Sequence, residues 1–152
     1  MHKPAMPILA VPLLLVLLLL ALPTPAVAQS AKPGVEGYQV EWMYRVKYGF
    51  IDEWWDLFRK YEVPVLERAK QLGYVLDYRI YRPTQHMDEA GRWDYRVEIT
   101  YKDYATVSKV GPLTNELFPD SATRKREEQK RWEWTANHWD LPIYQVDPTK
   151  SR

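Results

Sequence analysis

Apolar and polar residues alternate strictly over residues 39–48, which predicts a strand with one buried face. The apolar positions are Val40, Trp42, Tyr44, Val46 and Tyr48. A period of two is typical of a half-buried strand, because successive side chains point to opposite faces of a sheet. The same pattern returns over residues 74–81 and, most regularly, over residues 93–101. A polar stretch rich in turn residues separates these two later strands, so we expect them to form a hairpin.

Between the first two strands the apolar period changes to that of a helix. The positions in this stripe, spaced alternately by four and three residues, are Ile51, Trp55, Phe58, Glu62, Val65, Ala69 and Leu72. This spacing predicts one long helix with a buried face. Gly73 suits its C-terminal end. Pro64 predicts a kink, because proline removes one backbone hydrogen bond.

The second helix is predicted to be interrupted. Asp103 is a good N-cap for a short helix over residues 104–110, which Gly111 and the following proline end. One or two further turns are expected over residues 113–118.

A longer helix is predicted over about residues 122–139, with Asp120 or Ser121 as its N-cap. The positions spaced to pack on the sheet are Trp132, Ala136 and Trp139. Pro142 is expected to mark the end of this helix, and residues 143–146 to form a short last strand.

The predicted order is β-α-β-β-α-β, which is an α+β, ferredoxin-like pattern with its second helix interrupted. Helices should cover one face of a four-stranded antiparallel sheet. At this level residues 38–146 resemble the dimeric α+β barrel superfamily, through the topology, the long first helix and the strand at residues 92–102. The resemblance implies a homodimer in which two sheets pack face to face. The superfamily contains cofactor-free monooxygenases, haem-using enzymes, isomerases and proteins without known activity, so the fold leaves the function open.

Residues 1–28 have the pattern of a cleavable secretory signal peptide. Lys3 lies near the start, an uninterrupted apolar run covers residues 8–22, and Ala26-Val27-Ala28 forms a small-x-small cleavage site. The run is shorter than the roughly 20 residues that span a bilayer as a helix. We expect cleavage before Gln29 and a secreted protein, an uncleaved anchor being the alternative. The absence of cysteine favours a bacterial periplasm.

Cleavage would leave 124 of the 152 residues. They divide into a flexible lead-in (29–37), one domain (38–146) and a loose tail (147–152). Without Lys3, 20 basic residues balance 20 acidic ones. We therefore expect no nucleic-acid partner, because such binders usually carry a basic excess. Contact with a membrane is expected only through the signal peptide.

Aromatic residues are the main candidates for ligand binding, since all 7 Trp, 11 Tyr and 3 Phe lie in the domain or beside it. Those predicted on the helix-facing side of the sheet are Trp42, Tyr44, Tyr78, Trp93, Tyr95 and Tyr101. They either complete the core or line a pocket for a small apolar or aromatic molecule.

A few titratable residues are candidates for catalysis. Glu62 interrupts an apolar stripe, and burial would raise its pKa towards that of a general base. The alternative is that a kink at Pro64 turns it to water. Other candidates share one face of the later helix: Glu127, Arg131, Trp134 and His138. Here His138 could act as acid or base beside an anionic or aromatic ligand. The alternative is an exposed stripe with a Glu127–Arg131 ion pair.

One predicted strand face is charged. Its members are Glu41, Arg45, Lys47, Asp77, Arg79, Arg92, Asp94, Arg96 and Glu98. Opposite charges on neighbouring strands stabilise a sheet. This face is therefore either a solvated surface or a polar dimer interface.

No metal site or bound cofactor is predicted, because the mature chain has two histidines and no metal-binding spacing. A single axial haem ligand, His86 or His138, is the exception that the resemblance allows. The leading hypothesis is a homodimer that binds a small apolar or aromatic molecule. One alternative is a cofactor-independent oxygenase or isomerase that uses residues from this set: Tyr44, Glu62, Tyr95, Arg131, Trp134 and His138. Another is a module that docks an envelope protein through Trp134.

Overall fold

The computed structural model describes residues 36–85, 87–146 and 148–149. The predicted signal peptide and its cleavage site lie outside the described residues, as do His86, most of the lead-in and most of the tail. No helix in the described ranges has the length and apolar character needed to cross a membrane.

The chain adopts the predicted α+β, ferredoxin-like order, with α2 to α4 in place of one second helix. The elements are β1 (Tyr38–Val46), α1 (Ile51–Gln71), β2 (Val75–Tyr81), β3 (Tyr95–Tyr101), α2 (Tyr104–Val110), α3 (Leu113–Leu117), α4 (Ser121–Trp134) and β4 (Thr135–Ile143). The sheet order is β2-β3-β1-β4, and every neighbouring pair is antiparallel. The long connections therefore place the helices together over one face of the sheet.

The core lies between α1 and the helix-facing side of the sheet. Register pairs Val40 with Ile99 and Tyr44 with Tyr95, and all four side chains are buried. The residues that α1 buries against them are Trp54, Phe58, Tyr61, Val65, Leu66 and Ala69. This band differs from the predicted stripe in using Trp54, Tyr61 and Leu66.

Trp54 reaches deeper than the predicted Trp55 because its polar edge has a partner inside the protein. Its indole N–H donates to Thr135 Oγ1 at 2.9 Å. Its ring stacks on Tyr95, with ring centroids 5.0 Å apart. A buried indole that keeps its hydrogen bond loses little on leaving water.

The C-terminus of α1 is closed by Gly73, as predicted. The Gly73 amide donates to the Lys70 carbonyl at 3.0 Å, and the Tyr74 amide donates to the Ala69 carbonyl at 2.9 Å. These two bonds define a Schellman motif. It needs a left-handed residue, and Gly73 has φ +71°. Upstream, α1 runs continuously through Pro64.

A bulge in β2 moves one predicted core residue to the surface. The register with β3 shifts between Val75 and Asp77, so an extra residue lies between them. Val75 is buried and Leu76 is exposed. The alternation over residues 74–81 places Leu76 on the same face as Tyr78, which was predicted to face the helices. That prediction was wrong for Leu76, because the inserted residue changes the parity of the strand.

The last helix ends earlier, and the last strand begins earlier, than the sequence predicts. The α4 helix stops at Trp134 because tertiary partners take up its last carbonyls. The Lys47 amide donates to the Trp134 carbonyl at 2.8 Å, and the Thr135 hydroxyl donates to the Arg131 carbonyl at 3.0 Å. Pro142 lies within β4, which is an edge strand and tolerates a residue without an N–H.

Because β4 begins at Thr135, the predicted packing of residues 132–139 on the sheet is wrong. Trp132 and Trp139 are 46% and 36% exposed, and Ala136 is exposed as well. They do not form the predicted apolar stripe, because Trp132 belongs to α4 and the other two belong to β4.

Replacing Gly73 with alanine should lower the free energy of unfolding by about 1 kcal/mol, since a Cβ is strained at a left-handed position. Urea denaturation at equilibrium measures this loss. The control is Gly91→Ala, whose added Cβ would meet only Asp88 at an ordinary 3.5 Å and whose φ is not left-handed. It should change stability by less than about 0.5 kcal/mol. Equal losses in the two variants would contradict the assigned role of Gly73.

Candidate functional site

A cavity of about 460 Å³ lies between the sheet, α1 and α2. Its aromatic lining residues, hereafter the cavity rings, are Tyr38, Trp42, Tyr101 and Tyr104. Its aliphatic wall comes mainly from two helices and consists of Val40, Val65, Leu66, Val107 and Val110. Such a concave, largely apolar space with a few polar groups is typical of a small-molecule site.

The α2 wall of the cavity is fixed by a capping box. Asp103 Oδ1 accepts the Thr106 amide at 2.9 Å, and the Thr106 hydroxyl in turn accepts the Asp103 amide at 3.3 Å. The Thr106 hydroxyl also lies 3.2 Å from the carbonyl of Tyr74, in the turn after α1. The start of α2 is thereby tied to the end of α1, and the two cavity walls keep their separation.

The charged lining residues of the cavity are Glu62 of α1 and Asp140 of β4. Register places Asp140 opposite Trp42 and His138 opposite Tyr44. The sequence did not identify Asp140 as a candidate, because the predicted helix ran almost to this position. The alternation of His138, Asp140 and Pro142 was the available signal, and all three face the helices.

Glu62 forms an ion pair with Arg131 of α4, at 2.6 Å between Oε1 and Nη2. The Arg131 side chain is only 2% exposed and that of Glu62 is 24% exposed. The guanidinium also lies over the rings of Trp54 and Phe58. Burial raises the pKa of the Glu62 carboxyl above its ordinary value, and the Arg131 charge opposes this rise.

His138 stacks on Tyr44 beside this pair, with ring centroids 4.3 Å apart. Its Nε2 lies 3.2 Å from Asp140 Oδ1. Burial lowers the pKa of His138, and the Asp140 carboxylate opposes the change. Burial also raises the pKa of the Tyr44 hydroxyl far above its usual range. The imidazole is therefore neutral, and the phenol protonated, around pH 7.

The three predicted catalytic residues, Glu62, Arg131 and His138, thus lie close to one another around Tyr44. The predicted Glu127–Arg131 pair does not form. Glu127 instead accepts the Tyr61 hydroxyl at 2.7 Å and the Lys60 ammonium at 2.6 Å. The alternative prediction, that these residues form an exposed stripe on the helix, is wrong for Arg131, because the side chain of Arg131 points from α4 into the core.

The predicted ligand-binding aromatics separate into two groups. Trp42 lines the cavity, and Tyr44 lies in the core beside it. The others lie elsewhere: Tyr95 is sandwiched by Trp54 and Trp55, Tyr78 donates its hydroxyl to Glu67, and Trp134 stacks on Phe50. Trp93 precedes β3 and lines a second cavity of about 440 Å³ with Tyr48 and Met87. The sequence patterns gave no means of separating these two groups.

The sheet face opposite the helices, hereafter the open face, carries much of the predicted charged set. Arg96 bridges two carboxylates that lie opposite each other in register, Glu41 at 3.0 Å and Glu98 at 2.9 Å. Trp139 and Leu141 occupy the same face of β4 and are partly exposed. Three predicted members lie outside the strands, namely Lys47, Arg92 and Asp94. Of these, Arg92 is buried and pairs with Asp94 at 3.1 Å.

In the described part of the chain no three metal-ligating side chains are grouped to hold a metal ion. His86, one of the two candidate axial haem ligands, lies outside the described residues. The other, His138, is engaged with Tyr44 and Asp140 as described above.

No protein-family model matches the chain, and no curated protein sequence matches it. A dimeric ferredoxin-like protein from an uncultured marine organism is similar in structure, with a TM-score of 0.51 at 8% identity over 76% of this chain and 91% of that one. An uncharacterized NIPSNAP domain protein from Burkholderia xenovorans has a TM-score of 0.47 at 10% identity over 75% and 99%. An antibiotic biosynthesis monooxygenase has a TM-score of 0.43 at 15% identity over 72% and 99%. The first similarity confirms the ferredoxin-like resemblance, and identities this low concern the fold alone.

The raised pKa of Glu62 gives a testable dependence of stability on pH. A carboxyl whose pKa is higher in the folded state stabilises the fold below its ordinary pKa of 4.5, and this stabilisation is lost as pH rises through the folded value. The difference in unfolding free energy between the wild type and Glu62→Gln should therefore fall as pH rises above about 4.5. Denaturant titrations at a series of pH values measure it.

The control for loss of one negative charge is Glu53→Gln, at an exposed position in the first turn of the same helix. If the difference in unfolding free energy between the wild type and Glu62→Gln instead rises with pH, the Arg131 charge has a larger effect than burial on the pKa of Glu62.

Proposed function

We propose that this ferredoxin-like chain is a secreted, homodimeric protein that binds a small apolar or aromatic molecule in the cavity between α1, α2 and the sheet. The observation that carries the proposal is the cavity itself, about 460 Å³ in volume and lined largely by apolar and aromatic side chains. Burying a small apolar molecule there would release water from both surfaces, at about 25 cal/mol for each Å² covered.

The geometry favours binding over a purely structural role for these rings. The capping box at Asp103 holds the start of α2 in place, so this wall of the cavity has a fixed position. Tyr104 is 73% exposed at the rim, and Tyr38 lies against it with ring centroids 5.1 Å apart. A cavity with an open, aromatic rim admits a ligand without unfolding of the wall.

A second candidate function is proton transfer on such a ligand, as in a cofactor-independent oxygenase or isomerase. Its support is Glu62, a lining carboxyl whose raised pKa suits a general base. Arg131 beside it would stabilise the carboxylate after each turnover. Glu62→Gln should then abolish turnover in a protein that still folds. The third alternative, docking through Trp134, has less support because this ring already stacks on Phe50.

Homodimerisation is proposed through the open face. Exposed Trp139 and Leu141 lie beside the charged cluster around Arg96, so the face combines apolar area with charges of both signs. A twofold axis brings the same patch of two copies together, and such a mixed patch can be complementary to itself. Secretion is proposed from the N-terminal pattern at residues 1–28.

Native mass spectrometry of the protein recovered after secretion tests occupancy and processing together. We expect a chain that begins at Gln29 and retains a bound small molecule. Val107→Trp should remove that bound mass by filling the cavity from α2. The matched control, Val146→Trp, adds the same ring at an exposed position away from the cavity and should keep the bound mass. Equal retention in both variants would contradict binding in this cavity.

The dimer is tested separately by sedimentation velocity. Trp139→Glu should convert the dimer to a monomer, because a desolvated carboxylate at the centre of the interface has no partner. Tyr144→Glu is the control, since Tyr144 follows β4 and is 83% exposed. A wild-type protein that sediments as a monomer at all concentrations would refute the homodimer and leave the cavity proposal intact.

A further inference from the structure

The charge of the cavity lining is of one sign. Two of its residues, Glu62 and Asp140, are acidic, and no lysine, arginine or histidine of the described ranges lines it. Arg131 does not line the cavity, but its Nη2 lies 2.6 Å from Glu62 Oε1 and compensates the charge of this carboxylate. A bound carboxylate or phosphate would therefore meet acidic groups and no cation.

Asp140 is the carboxylate without a comparable partner. The only cation-forming group beside it among the described residues is His138, with Nε2 at 3.2 Å. Burial lowers the pKa of His138, so this imidazole is neutral at pH 7. No charged side chain of the described residues therefore pairs with Asp140. The Asp140 side chain is 58% exposed, which leaves it accessible from the cavity mouth.

The effect of the two carboxylates reaches the interior of the cavity. Burial raises the pKa of the Tyr101 hydroxyl to about 12, and the charges of Asp140 and Glu62 both contribute to the rise. Tyr101 is 3% exposed and belongs to the cavity rings. The two carboxylates therefore act against a negative charge placed near this ring and attract a positive one, while burial disfavours charge of either sign.

The cavity rings also differ from the other aromatic side chains of the domain. Arginine and lysine side chains lie over many of the other rings, for example Arg82 over Tyr95 and Lys109 over Tyr74. Within the described ranges no arginine or lysine lies over any cavity ring. Four rings that surround a cavity and lack an internal cation are suited to receive one from a ligand.

From this geometry we infer that the ligand is a cation, an alkyl- or arylammonium whose charged group lies among the cavity rings and next to Asp140, with its apolar part against α1 and α2. This inference rests on the proposed binding function and names the class of molecule bound. The quaternary or protonated nitrogen of the ligand makes cation–π contacts with the rings and forms an ion pair with Asp140. Val65, Leu66 and Val107 contact the remainder of the molecule.

Three probes of matched shape test the inference by calorimetric titration of the processed protein. They are phenyltrimethylammonium, its neutral isostere tert-butylbenzene, and benzoate as the anion. We expect the cation to bind about tenfold more tightly than the neutral isostere, a preference that cation–π contacts and an ion pair together provide. Benzoate should not bind measurably.

Asp140→Asn should remove most of this preference, by weakening the cation about fivefold to tenfold while leaving tert-butylbenzene unchanged. The control Asp56→Asn removes an equal charge from an exposed position on α1 and should alter neither affinity. If the neutral probe binds as well as or better than the cation, the inference fails and the binding function stands. If no probe binds and Val107→Trp alters nothing, both fail.

Discussion

The ion pair between Arg131 and Glu62 is the contact on which the site depends. It joins the end of α4 to the middle of α1, and a cation as buried as Arg131 is tolerated only where a carboxylate and aromatic faces replace its water. Because Arg131 is held there, the chain leaves α4 next to the sheet and enters β4 directly. That entry brings His138 and Asp140 to the helix-facing side. Removing one partner would leave a buried charge and displace the cavity wall as well.

Much of the fold follows from local sequence. β3 and α1 were predicted because their apolar periods extend over many residues. The end of α1 and the start of α2 were predicted because Gly73 suits a helix C-terminus and Asp103 suits a helix N-cap. The start of β4 was not predictable, since the spacing from Trp132 to Trp139 is compatible with a helix. Contacts with β1 and α1, distant in sequence, end α4 at Trp134. The bulge at Leu76 was not predictable either, because it arises from the pairing of β2 with β3.

The candidate site was predicted in part for a related reason. Glu62 was identified because it interrupts an apolar stripe, whereas Arg131 and His138 were identified because their spacing places them on one face of a predicted helix. The partners themselves belong to other elements, so no spacing could reveal that Arg131 pairs with Glu62 or that Asp140 faces the cavity. The buried Tyr44 lies next to His138 and near Glu62, Arg131 and Asp140, so these polar side chains form one cluster within an apolar core. The acidic residues Glu62 and Asp140 lie in the cavity lining, so the proposed ligand would have a defined orientation there.

The two edges of the sheet carry a further consequence. Pro142 removes a donor from the β4 edge, and the bulge at Val75–Asp77 interrupts the regular spacing of β2. Neither edge offers an unbroken row of donors and acceptors to a strand from another molecule. The proposed homodimer would therefore form through a face and not through an edge. Stacking of faces about a twofold axis closes at two copies, whereas strand addition at an edge can continue without limit. The same two irregularities that disturb the strand pattern thus act against open-ended strand addition at either edge.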